Sequence, residues 1–179
     1  LGLRDFGENY LQEALLKQEE LADLEDIVWH FIGPIQSNKT RPIAEHFDWV
    51  HTVDRMKTAE RLDQQRPSHL PPLNICIQVN VSHESTKSGV ALSELGDLAD
   101  QIGLLSRLHL RGLMAIPAPI TSLDADPSEP FRLLREASEN LQRPLDSLSM
   151  GMSEDLEWAI REGATWVRIG TALFGPRHP

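Results

Sequence analysis

The segment "LDSLSMGMSEDLEWAIREGATWVRIGTALFG" (145–175) divides into three parts. "LDSLSMG" (145–151) has the apolar, β-prone character of a strand, "SEDLEWAIREG" (153–163) that of a helix and "TWVRIGTALFG" (165–175) that of a second strand. A strand that returns through a helix to another strand makes a parallel pair, because parallel neighbours need a crossover and a helix supplies it.

The same alternation runs back to the N-terminus. Strand-like runs at 3–9, 27–34, 48–54, 73–81 and 108–116 are followed by stretches of helical character at 10–24, 38–47, 56–65, 93–105 and 130–142. In the first of these helices Leu11, Leu15, Leu21 and Leu24 fall mostly on one side, and Ser93 and Ser153 are expected N-caps. The strands read as nearly continuously apolar, as strands covered on both faces do. With no linker, repeat or low-complexity tract, the chain is one α/β domain over residues 1–179. An open doubly wound sheet is the plain alternative. Seven units with no Gly-rich turn after an early strand favour an incomplete (β/α)8 TIM-type barrel, since a complete one takes about 250 residues and at least about 200.

Composition excludes several classes of function. A net charge of −10 argues against a nucleic-acid backbone partner, which needs clustered Lys and Arg. Cys76, the one cysteine, lies in the apolar run "LNICIQVNV" (73–81) and reads as a buried thiol in a reducing cytoplasm. No segment has the length of an apolar membrane span, and the N-terminus lacks the pattern of a signal peptide. The start at Leu1 suggests a fragment or a processed product. Walker, G-x-G-x-x-G, H-E-x-x-H and G-x-S-x-G motifs are absent, and no metal site is expected.

Parallel barrels gather their sites at the C-terminal strand ends. Here those ends carry Glu8 and Asn9, His30 with Gly33, Thr52, Asn80, Met114, Gly151, Met152 and Ser153, and Gly170 with Thr171. The set is small and polar, with few groups fit for acid–base chemistry. Ser153 at a helix start, beside Arg168, Gly170 and Thr171 at the end of the next strand, suggests a phosphate cup, because helix N-termini offer unpaired N–H groups to anions. Glu154, Asp155 and Glu157 offset part of that positive potential. Lys87, in the polar loop "NVSHESTKSGV" (80–90), sits at the same rim.

"FGENYLQEA", "WHFIGPIQSNK", "VNVSHESTKSGV", "RGLMAIPAP" and "LSMGMSEDLEWAIREGATWVRIGTALFG" closely resemble, in order and spacing, the motifs of the YggS/PROSC family of pyridoxal 5′-phosphate homeostasis proteins. The resemblance spans residues 1 to about 177. It implies a barrel like the alanine racemase N-terminal domain, holding pyridoxal 5′-phosphate (PLP) on a lysine. By that resemblance Gly151, Met152, Ser153, Gly170 and Thr171 belong to the phosphate segments, with Arg168 nearby, and Asn9, His30, Asn80 and Met114 surround the ring. The family's lysine lies on a first strand upstream of the "FGENY" block, and this chain begins just before that block. Lys17, Lys39 and Lys57 fall on helices and Lys87 in a loop. The first barrel strand is therefore expected to be missing, leaving two open edges and a form that is marginal unless something covers them. The resemblance implies a non-catalytic carrier or buffer of PLP that serves PLP-dependent apo-enzymes. The alternatives are a fold-type III PLP enzyme such as an amino-acid racemase, and a phosphate-ligand barrel that has lost PLP.

Overall fold

A computed structural model describes residues 2–82, 88–118 and 126–175. The elements run β1 (Asp5–Glu8), α1 (Leu11–Glu20), β2 (Val28–Phe31), α2 (Thr40–His46), β3 (Trp49–Val53), α3 (Met56–Gln65) and β4 (Leu73–Gln78). A short 3-10 turn at Leu92–Glu94 leads into α4 (Leu95–Ile102), followed by β5 (Leu108–Met114), α5 (Glu129–Asn140), β6 (Ser147–Met152), α6 (Leu156–Arg161), β7 (Trp166–Arg168) and α7 (Thr171–Phe174).

All strand pairs are parallel and the sheet order is β1-β2-β3-β4-β5-β6-β7. Each crossover steps one strand in the same direction, so right-handed connections put every helix on one face and the other face curls inward. A doubly wound sheet would reverse its order partway. The curl is evident across the interior: the His30 ring on β2 lies 4.9 Å from the Trp166 ring on β7, although four strands stand between theirs in the sheet order. The expected seven-stranded, incomplete TIM-type barrel is present and nearly closed. Among the described residues β1 and β7 are each paired on one side only.

Two apolar layers hold the fold. The larger lies between strands and helices and includes Phe31, Ile43, Phe47, Leu62, Ile75 and Phe131, with Phe31 and Phe47 meeting edge to face at 5.3 Å. Inside the barrel Trp49, Cys76 and Met114 pack with Val28 and Trp166. The strands are therefore not apolar on both faces as read from sequence. Their inner positions carry His30, His51, Ser149 and Arg168 among the aromatic rings. At the N-terminal end Arg111 closes the floor: its guanidinium sits 4.9 Å over the Trp49 ring and binds the Asp146 carboxylate and Asn74 Oδ1. That leaves the C-terminal end as the mouth.

Several boundaries differ from the sequence reading. α1 ends at Glu20, so Leu21 and Leu24 lie beyond it and are exposed. Ser93 lies inside the 3-10 turn, and Ala91 and Glu94 stand at the cap positions there. Ser153 does not cap α6 either. A turn intervenes and Asp155 is the N-cap, its Oδ1 accepting the Met152 N–H at 2.6 Å. The seventh strand is only Trp166–Arg168, because Gly170 leaves the extended conformation (φ −112°, ψ −81°) and Thr171 opens a single helical turn.

Candidate functional site

The mouth is built from short turns placed by strand pairing. Met152 on β6 is in register with Arg168 on β7, so Ser153 and the Gly170–Thr171 pair emerge side by side at the same end. Gly151 makes the turn possible. It has φ +92°, and a Cβ there would come within 2.5 Å of the Ala159 Cβ, so glycine lets β6 run close under α6. A Cβ at Gly170 would meet nothing within 4 Å, which leaves open space beside it. Ser153, Gly170 and Thr171 are all exposed. α6 and α7 are six and four residues long, so individual N–H groups and hydroxyls, rather than a summed helix dipole, are what this end offers an anion.

Below the turns lies Arg168. Its Nη1 donates to the Ser149 carbonyl and to Ser149 Oγ, both at 2.9 Å, and its Nη2 donates to the Ala115 carbonyl at 2.9 Å. No carboxylate among the described residues lies within ion-pair distance of it. Burial therefore pulls its pKa down to about 10, with Asp155 as the main opposing influence, and the group stays cationic at neutral pH.

From Ser149 a line of polar groups crosses the barrel. His51 Nδ1 is 2.7 Å from Ser149 Oγ, His51 Nε2 is 2.9 Å from His30 Nδ1, and His30 Nε2 is 3.0 Å from Asp5 Oδ1. His30 also stacks on Trp49, with ring centroids 5.5 Å apart and planes 10° from parallel. Burial holds both imidazoles below their ordinary pKa. For His51, which faces His30 and Arg168, the value falls to about 3. Cys76, wholly buried nearby, is pushed by desolvation up to about 12 and is inert.

The residues singled out from sequence separate into two sets. Asn9, Gly151, Met152, Ser153, Asn80, Gly170 and Thr171 follow or end strands at the mouth. Asn9 is tied to the rim by Gly33, where a Cβ would fall 2.0 Å from the Asn9 carbonyl oxygen, and Thr52 Oγ1 donates to the Gly33 carbonyl at 2.6 Å. The Asn80 backbone is fixed by its N–H to the Val90 carbonyl. His30, Met114 and Arg168 instead form the interior beneath. Lys17 pairs with Glu8 at 2.7 Å on the helix side of β1. Lys39 stands at the N-cap of α2 and Lys57 on α3; Lys87 lies outside the described residues. Asp5, His51, Ser149 and Trp166 were missed from sequence. For His51, Ser149 and Trp166 the signal was the period-two alternation in "WVH" (49–51), "SLS" (147–149) and "WVR" (166–168), which sends the polar and aromatic members inward.

Comparison with known proteins agrees with this architecture. The family model for the alanine racemase N-terminal domain matches residues 1–178. The pyridoxal phosphate homeostasis protein of Pseudomonas aeruginosa is 67% identical over 176 residues, covering 98% of this chain and 76% of that protein. Its Escherichia coli counterpart is 51% identical over 184 residues, covering 98% of this chain and 77% of that protein. The structure of PipY from Synechococcus elongatus with PLP bound superposes with a TM-score of 0.87 at 42% identity, covering 97% of this chain and 82% of that one. A histidine racemase from Leuconostoc mesenteroides, at 16% identity and a TM-score of 0.74, shares the fold alone. The chain belongs to the family of pyridoxal phosphate homeostasis proteins, built on the alanine racemase N-terminal domain.

Proposed function

We propose that the protein binds pyridoxal 5′-phosphate at the C-terminal mouth of the barrel and serves as a cytoplasmic, non-catalytic carrier and buffer of that cofactor, with PLP-dependent apo-enzymes as recipients. The observation that carries the reading is the Arg168 guanidinium, held under the mouth by neutral oxygens with no carboxylate partner among the described residues. A partly buried, unneutralised cation is stabilised by an anion placed above it, and a phosphate ester is such an anion. The names and the PLP-bound structure of relatives support the same ligand.

The residues present fit this group. The open space beside Gly170 can admit phosphate oxygens against the backbone. The Ser153 and Thr171 hydroxyls, with the first N–H groups of α7, are donors that no helix partner consumes. Asn9 and Asn80 would flank the ring at the rim, Met114 and His30 would lie beneath it, and Gly151 and Met152 set the turn that aims Ser153. PLP supplies an electrophilic aldehyde that amines capture reversibly; these side chains supply binding and orientation. His30 has both ring nitrogens committed inside the barrel, so it does not serve the mouth as an acid or base. That supports delivery over catalysis.

The test is Ser153→Ala combined with Thr171→Val, with PLP affinity measured by equilibrium dialysis. Losing two hydroxyl bonds to a charged group costs about 3 kcal/mol, on the order of a hundredfold in Kd, with the melting temperature unchanged. Equal PLP affinity in the double variant would overturn the assignment.

A further inference from the structure

The interior contacts from Arg168 to Asp5 can be given a direction by counting donors. Arg168 Nη1 can only donate, so Ser149 Oγ accepts from it and has its own O–H left for His51 Nδ1. His51 then carries its proton on Nε2, which donates to His30 Nδ1. His30 in turn carries its proton on Nε2, which donates to the Asp5 carboxylate. Every contact is satisfied with both imidazoles neutral, and burial of both rings favours that state. Reversing the direction would aim the His30 Nε2 lone pair at a carboxylate oxygen 3.0 Å away and leave Ser149 without an acceptor in the array.

We propose that this Arg168–Ser149–His51–His30–Asp5 array is a one-way hydrogen-bond chain in which Ser149 and His51 are positioning residues for Arg168, fixing which N–H groups the guanidinium offers to a ligand at the mouth. Nη1 is committed to the two Ser149 oxygens and Nη2 donates to the Ala115 carbonyl. Nε–H and the second Nη2–H take no part in these contacts and are the donors the proposal leaves for the ligand. The chain is anchored at its far end by Asp5, whose side chain is about half exposed (47%). A half-exposed carboxylate on β1 thus helps to set the orientation of a cation on β7, the other edge strand of the sheet. The part that concerns ligand affinity rests on the reading of Arg168 as a PLP-binding residue.

The experiment has two arms on the full chain. In the first, nitrogen-15 NMR of the histidines and of the Arg168 side chain is recorded without ligand. The expected spectrum shows His30 and His51 neutral with the proton on Nε2, and slow Arg168 N–H exchange that becomes fast in His51→Leu and in Ser149→Ala. Asp5→Asn, which keeps an oxygen acceptor for His30, retains the tautomers, and Asp5→Leu releases that of His30. A protonated His30, or His51 with its proton on Nδ1, overturns the chain. Unchanged Arg168 exchange in a folded His51→Leu or Ser149→Ala overturns the positioning role. In the second arm PLP affinity falls about tenfold in both of these variants, equivalent to about 1.4 kcal/mol, and is restored toward wild type by Ser149→Thr. Wild-type affinity in both overturns the coupling to the ligand. A wild-type chain that binds no PLP overturns the cofactor reading, while the first arm still decides the chain itself.

Discussion

Acidification is the sharpest probe of the barrel interior. His51 is 2% exposed, and its pKa falls from the ordinary 6.5 to about 3 because burial strips its water and because His30 and Arg168 face it. The unfolded chain therefore binds a proton at His51 below pH 6.5 that the native chain refuses until about pH 3. Stability is fully present above 6.5, falls as pH drops and levels off below 3. At about pH 5 the unfolded state is favoured through this group by about 1.5 pH units, or about 2 kcal/mol. For a domain of this size that is a drop in melting temperature of roughly 4–8 °C. The assay is urea unfolding at about pH 7 and about pH 5, followed by far-UV circular dichroism, for wild type and His51→Leu. Surface carboxylates shift both proteins alike, so the comparison isolates the histidine. The variant is less stable at neutral pH, because Ser149 loses its acceptor, yet its acid loss is smaller by about 2 kcal/mol. Equal acid losses in the two proteins would refute a neutral, desolvated His51.

Two further outcomes follow from the packing. Gly151→Ala, at φ +92° with its new methyl 2.5 Å from the Ala159 Cβ, destabilises the fold by about 2 kcal/mol or more, read as a lowered urea midpoint. Cys76, wholly buried and with its thiol held near pKa 12, reacts with an aromatic disulfide reagent only at the rate of unfolding; a native burst of labelling would contradict its placement inside the barrel.

The barrel was legible in the sequence because its signal is collective. Seven apolar runs separated by six helical stretches fix a parallel sheet, and α3 at Met56–Gln65 matched its reading residue for residue. The mouth was legible for a related reason, since strand ends can be counted and "GMS" and "RIGT" close neighbouring strands. What escaped was whatever depends on contacts across the barrel. His51 and Ser149 are 98 positions apart in the chain and 2.7 Å apart in space, and no local pattern pairs them. Ser93 and Ser153 failed as caps because propensity names a residue type but cannot say whether a 3-10 turn or an extra loop residue will precede the helix. "TWVRIGTALFG" (165–175) was read as extended throughout because its apolar residues suit either state, and the single turn of α7 is too short to show a helical period.

The short β7 and the single-turn α7 bear on how ligand binding would declare itself. β3 is buried at every position and flanked on both sides, whereas β7 has one neighbour among the described residues and α7 leaves Leu173 and Phe174 54% and 75% exposed. Local opening costs least where neighbours are few. The segment proposed to receive the phosphate is therefore expected to trade its amide hydrogens with solvent sooner than β3 and β4, which hold theirs until the whole domain opens. An anion seated there would show first as slowed exchange over residues 169–175, well before any change in global stability. On the proposed reading the cup would be finished by its occupant: α7 would gain its order from the molecule bound there.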